Sequence, residues 1–150
     1  MQLISDDVVH PSCGKGAPWK CIFSAPCNAA DPDQNISFDN ATGHIKSASG
    51  LCVDAVGCKQ VPTLALAACD SNAPTQKWSH SNKQFESIGC TAQCIDCYSG
   101  GTGNPGLFTC DAASNQDWVP SGSTFSEDYA GKKCMSQAPP KCLPSNKDCR

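Results

Sequence analysis

The chain copies itself at a spacing near forty residues. Gln76-Lys77-Trp78 and Gln116-Asp117-Trp118 stand 40 residues apart, and 42 residues before the first of them stands Gln34-Asn35-Ile36, with Ile in the Trp slot. A cysteine precedes each Gln by six or seven residues: Cys27, Cys69 and Cys110. The front of the unit repeats as well, since "GLCVDA" (50–55) matches "AQCIDC" (92–97), and "GKKCMSQ" (131–137) supplies a third start with Ser136 in place of the Asp. Phe85 and Phe125 each stand nine residues ahead of the cysteine of their start, Cys94 and Cys134. A fixed period of this length marks an architecture of stacked copies, in which each small unit buries its apolar face only against its neighbours.

Inside each unit, apolar runs of three to five residues such as "LCVDA", "TLALAAC", "QCIDC" and "GLFTC" are broken by Gly, Pro, Asn and Ser. Such runs suit strands and hairpins, and no window sustains a helical period. The expected class is all-β. Four short strands in each of three units make twelve strands, enough to close on themselves and hide their edges.

Length and composition narrow the setting. At 150 residues the chain suits one domain. Thirteen cysteines predict a loop-rich, disulfide-stapled fold in an oxidising compartment, so secretion is expected. The sequons at Asn35 and Asn40 agree with that compartment. With 17% charged residues and a net charge of -3, no basic surface is expected to neutralise phosphates, which argues against nucleic acid. No run approaches the roughly 20 apolar residues of a membrane span. "MQLISDDVVH" lacks the pattern of an export signal, so the chain is read as a mature form or a piece of something larger.

Cys-Val-Asp, a variable loop, an apolar strand ending in Cys, then Gln-x-Trp, repeated at about forty residues, resembles the ricin B-type lectin repeat. The resemblance is good over 36–118 and poor at both ends. It implies a β-trefoil of three pseudo-repeats, with the Gln-x-Trp tryptophans in the core and a potential shallow sugar site in each repeat. Repeats at 37–78 and 79–118 leave two ways to form the third: residues 1–36 alone, or a degenerate repeat 1–36 completed by 119–150. The second is favoured, because Phe125 to Cys134 repeats the start pattern and "MQLISDD" does not. The trefoil would then be circularly permuted, with "PSCGKGAP" and "APPKCLPSNKDCR" as cysteine-pinned extensions.

A sugar offers hydroxyls for hydrogen bonding and a flat C–H face, so its site needs a carboxylate or amide beside an aromatic ring. By resemblance, Asp96, Phe108, Asn115 and Gln116 form a complete set. The preceding repeat keeps Asp54 but has Ala67 in the ring position and Thr75 in the amide position, which implies a weak or degenerate site. In the permuted repeat Ser136 replaces the acid and Ala25 the ring, while Asp33 and Gln34 remain, and only Trp19 or Phe23 could substitute as a platform. A structural role competes at each position: Trp and Gln serve core and turn, and either Asp could cap a turn.

The repeat implies disulfides Cys52–Cys69 and Cys94–Cys110, and circular closure would add Cys27–Cys134. Seven cysteines remain, an odd number, so one thiol is left over or joined to another chain. Cys90, Cys94 and Cys97 as a metal cluster, or Cys94 and Cys97 as a redox pair, are weaker readings, so no metal and no cofactor is expected. His10, His44 and His80 lie in polar, turn-like surroundings and read as surface residues without catalytic company. The expected function is a secreted carbohydrate-binding module without catalysis, an appendage of a secreted glycoside hydrolase for example, recognising a galactose-type or xylan-type glycan. The alternatives are a structural block of an extracellular coat, matrix or fibre, or a trefoil protease inhibitor.

Overall fold

A computed structural model describes residues 13, 20–98, 104–127 and 133–139. Of the two expected terminal extensions only Cys13 and residues 138–139 fall among these, while His10, Trp19, Cys142 and Cys149 lie outside them. Twelve strands occur among the described residues: β1 (Phe23–Pro26), β2 (Ser37–Asp39), β3 (His44–Lys46), β4 (Cys52–Asp54), β5 (Ala65–Ala67), β6 (Trp78–Ser81), β7 (Gln84–Ser87), β8 (Gln93–Cys97), β9 (Pro105–Thr109), β10 (Trp118–Ser121), β11 (Thr124–Glu127) and β12 (Lys133–Ser136). They form three antiparallel four-stranded sheets: β2-β3-β4-β5 in the first lobe, β6-β7-β8-β9 in the second, and β10-β11-β12-β1 in the third. The protein is an all-β, disulfide-rich β-trefoil. The third sheet is closed from both ends of the chain, with Phe23 opposite Ser136 and Pro26 opposite Lys133.

Three equivalent backbone hydrogen bonds tie the lobes into a ring. The amide of Trp78 donates to Gly43 O (2.9 Å), that of Trp118 to Lys83 O (2.7 Å), and that of Ile36 to Ser123 O (2.9 Å), so each Gln-x-Trp position grips the hairpin of the lobe before it. The grip needs a close approach. Gly43 has φ +78°, and a Cβ there would lie 3.1 Å from Trp78 O, so glycine meets both the left-handed backbone and the contact.

The same positions fill the centre. Trp78 and Trp118 are buried, and their indole N–H groups donate to Val53 O and Ile95 O, each at 3.1 Å, so the polar atom of each ring is satisfied as the ring leaves water. The third lobe puts buried Ile36 there instead. Phe85 packs edge-on against Phe38 (5.4 Å between centroids) and Phe125 (4.9 Å), joining hairpins from all three sheets.

Each Gln of the motif lies in a single 3-10 turn, Pro32–Gln34, Pro74–Gln76 and Ser114–Gln116. In each lobe its amide donates to a carbonyl at or just past the end of the last strand while its oxygen accepts a backbone N–H: Gln34 bridges Pro26 and Asn28, Gln76 bridges Ala68 and Asp70, Gln116 bridges Thr109 and Asp111. These glutamines replace a backbone ladder where the chain leaves the sheet, because buried polar groups must find partners.

Disulfides Cys52–Cys69, Cys94–Cys110 and Cys27–Cys134 occupy equivalent places in the three lobes. Two more among the described residues have no symmetry mate there: Cys13–Cys21, and Cys58–Cys90 between the first and second lobes. Because Cys90 and Cys94 are in disulfides, neither a metal cluster of Cys90, Cys94 and Cys97 nor a Cys94–Cys97 redox pair exists here.

Candidate sugar-binding sites

In the second lobe β8 pairs with β9 so that Cys94 faces Phe108 and Asp96 faces Gly106. Directly opposed residues of an antiparallel pair, and residues two apart along a strand, point to the same side. Cys94, Asp96 and Phe108 therefore share one face, while Ile95 and Leu107 enter the core from the other. Phe108 is 41% exposed, so its ring lies open beside Asp96. Tyr98 follows directly after β8, two residues beyond Asp96. Its ring stands edge-on to Phe108, with centroids 6.1 Å apart and planes at 87°, and its hydroxyl donates to Leu107 O.

The carboxylate between these rings is held from behind. Asn115 Nδ2 donates to Asp96 Oδ1 (2.8 Å) and to Cys97 O (3.1 Å), and Gln116 Nε2 donates to Asp96 Oδ2 (3.0 Å). Gln116 is fully buried, with Gln84 donating to its oxygen as well, so it orients the acid and does not face the opening. Asp96 is 6% exposed, and burial pushes its carboxyl above the usual carboxylate range, against the pull of the Gln116 hydrogen bond and with a further push from the charge of Asp111. Tyr98 is raised too, first by burial and then by the charge of Asp96. Tyr98 is the member of this group that the motif reading missed. An aromatic residue two places after Asp96, just past the strand end, was the signal that could have found it.

In the first lobe Asp54 faces Ala65 and Cys52 faces Ala67, the same register with both ring positions reduced to alanine or valine: Val56 stands where Tyr98 does, and Ala67 where Phe108 does. Gln76 Nε2 donates to Asp54 Oδ2 (3.1 Å) as Gln116 does to Asp96. Thr75 provides no amide, and buried Asp54 Oδ1 has no hydrogen-bond partner. Asp54 nonetheless lines a cleft of about 450 Å³ together with Val56, Lys59, Val61 and Leu64.

In the third lobe Ser136 Oγ donates to Asp33 O (3.4 Å), and Gln137 Nε2 donates to Asp33 Oδ1 (2.9 Å), so the remaining acid is engaged by Gln137, just after β12. Phe23 is buried with Cys13 and Cys21, which removes it as a platform, and Trp19 lies outside the described residues.

The family described as "Ricin-type beta-trefoil lectin domain" matches residues 14–118 and again residues 41–142. The chain belongs to this family. No curated relative matches it. The two matches overlap, and each cuts the third sheet: the first stops before β11 and β12, and the second starts after β1. A ricin-type repeat order read linearly has to break there, since that sheet is assembled from both ends of the chain. Ricin-type lectin domains bind sugars, and the second lobe carries the acid, ring and amide together on an open face.

One expectation about this lectin's side chains needs correcting, that its histidines lie on the surface. His44 is buried opposite Asp39 in the β2–β3 hairpin, and His80 is half-buried, its ring centroid 4.3 Å from that of Phe85 and its Nε2 2.9 Å from Trp118 O. The short hairpins place their polar-looking residues at the bottom of the trefoil, which local sequence does not reveal. The cysteine outside the disulfides among the described residues is Cys97, a buried thiol raised well above its ordinary range by burial and by its contact with Glu127. A thiol so placed can neither ionise readily nor reach another chain. Asn35 and Asn40, the sequon residues, are both exposed.

Among the described residues no helix is long and apolar enough to cross a membrane.

Proposed function

We propose that this protein is a secreted carbohydrate-binding module that holds glycans without turning them over, with its principal site formed by Asp96, Tyr98, Phe108 and Asn115. One observation carries the reading: Phe108 is exposed on the same face as a buried, amide-oriented carboxylate. Asn115 and Gln116 use one lone pair on each oxygen of Asp96, which leaves acceptor capacity for two sugar hydroxyls. The C–H face of the pyranose then stacks on Phe108, and Tyr98 keeps that ring from rotating away. Adjacent hydroxyls above a flat C–H face describe a galactose-type sugar or a xylan-type chain.

The five disulfides among the described residues and the exposed sequons favour an oxidising, extracellular setting. A single shallow site binds weakly, so a useful hold on a surface needs a repetitive ligand or attachment to a partner such as a glycoside hydrolase. Glycan-array and calorimetric binding test the reading with Asp96→Ala and Phe108→Ala. Each variant should lose about a hundredfold or more in affinity; the unfolding transition should stay near that of the parent for Phe108→Ala and fall by about 1–3 kcal/mol for Asp96→Ala, which takes the acceptor from Asn115 and Gln116. Full binding by Phe108→Ala, or no glycan bound by the parent, would overturn it and favour a structural role in an extracellular coat.

A further inference from the structure

Of the three seams between lobes, the one that closes the third lobe onto the first has no tryptophan. Trp78 and Trp118 each add a buried indole hydrogen bond to their grip on a hairpin, whereas Ile36 grips with its backbone N–H alone, donated to Ser123 O. Beside that bond an open cleft of about 620 Å³ lies between the β10–β11 hairpin and the first lobe, a volume in the range of small-ligand sites. Ile36, Phe38, Pro120 and Phe125 give it an apolar side, and the exposed serines Ser37 and Ser123 bring hydroxyls to it.

Asn35 lines the same cleft, immediately before Ile36. Its backbone is fixed on both sides, by its own N–H donating to Pro32 O (3.1 Å) and by the burial of Ile36 in the core. Its side chain is exposed and has no hydrogen-bond partner among the described residues. Asn35-Ile36-Ser37 is an N-glycosylation acceptor, so a sugar attached here starts from a rigid root at the cleft's edge. The second acceptor differs in this respect. Asn40 stands on the β2–β3 turn, where Asp39 Oδ1 accepts the Ala41 N–H (2.9 Å), and it is no part of the cleft.

We propose that Asn35 carries an N-linked glycan whose first N-acetylglucosamine is seated in this cleft and reinforces the seam that lacks a tryptophan. In the transfer step the Asn35 amide nitrogen displaces the diphosphate of a polyprenyl-diphosphate-linked oligosaccharide: the Nδ2–C1 bond forms, the bond from C1 to the diphosphate oxygen breaks, and the amide gives up one proton. Transfer to the unfolded chain precedes the burial of Ile36. In the folded protein the acetamido methyl and the C–H face of the sugar lie against Phe38 and Pro120, and its hydroxyls meet Ser37 and Ser123. Such contacts are too few to hold a free sugar, but attachment makes the encounter intramolecular, so a shallow seat suffices. The inference rests on the extracellular reading, since only an exported chain meets the transfer machinery, and it is independent of the Asp96 face.

The test expresses the full chain behind an export signal in a glycosylating eukaryotic host, maps both asparagines by peptide mass spectrometry, and trims the glycan enzymatically to its first sugar. Asn35 should be occupied, and the trimmed protein should unfold about 2–4 °C above Asn35→Gln made in the same host. Hydrogen exchange at the amides of Ile36 and Phe38 should be at least about threefold slower in the trimmed protein. Asn40→Gln should leave both measurements where they were. Ala48→Arg changes an exposed residue on the opposite wall of the cleft, so it should crowd the sugar and at least halve the glycan-dependent difference in Tm. A bare Asn35 in a secreted, disulfide-bonded chain overturns the modification and leaves the extracellular reading standing. An occupied Asn35 whose loss changes neither Tm nor the two amides overturns the seat. Retention of the chain inside the cell with unpaired cysteines removes both readings.

Discussion

The first and second lobes share one frame and differ at the few side chains that face out of it. Asp54 and Asp96 occupy the same register, are both buried, and each accepts from the glutamine of its own Gln-x-Trp motif. Around Asp96 stand Tyr98, Phe108 and Asn115; around Asp54 the same places hold Val56, Ala67 and Thr75. Apart from the shared aspartate, the repeated frame and the outward-facing set are therefore made of separate residues. The structural set points inward and repeats, while the outward set is free to differ from lobe to lobe, so identical architecture does not entail identical ligands.

The sharpest way to break this separation is through the shared frame. Trp78→Ala and Trp118→Ala should each cost about 3–5 kcal/mol in denaturant unfolding, because both remove a buried indole and leave a carbonyl, Val53 O or Ile95 O, without its donor. The two losses should agree within about 1 kcal/mol, the scatter expected of equivalent sites. If only one of the two destabilised the protein, the lobes would not share a common core.

The next test converts one lobe toward the other. Asn115→Thr gives the second lobe the first lobe's residue and orphans Asp96 Oδ1, as Asp54 Oδ1 is orphaned. Stability should fall by about 1–2 kcal/mol, and galactoside affinity about tenfold, since the carboxylate loses the partner that aims it. Unchanged affinity in a calorimetric titration would mean that Asn115 has no part in the site.

The frame was more legible in the sequence than the site. Spacing alone exposes the repeat, since Gln, Trp and Cys must recur wherever an identical grip on a neighbouring hairpin recurs, and the period switch of β strands does the rest. The completion of the third lobe could be seen from Phe125 and Cys134 for the same reason. What the sequence concealed depends on contacts between lobes. His80 looks like a turn residue until Phe38, Phe85 and Phe125 close around it. Cys58–Cys90 has no symmetry mate among the described residues, so no repeat could announce it, yet it ties the segment lining the first-lobe cleft to the second lobe. Phe108 could be assigned to the ring position by motif, but only the pairing of Cys94 with Phe108 puts that ring on the side of Asp96.

The mildest test uses pH to separate what Asp96 does for folding from what it does for binding. Burial holds its carboxyl above the unfolded value. A group raised in this way contributes most to stability below the unfolded carboxylate pKa, and that contribution is lost as pH rises through the raised folded value. Ligand hydroxyls donate to the ionised form, so binding should run the other way: affinity in the second lobe should rise over the same interval, with a proton released on binding. Asp96→Asn should flatten both profiles, removing part of the stability decline toward neutral pH in thermal unfolding and leaving only weak, pH-independent galactoside binding in calorimetry. Opposed slopes from one carboxylate are what a residue shared between fold and ligand must show; parallel slopes would mean that the ligand does not contact the charge at all.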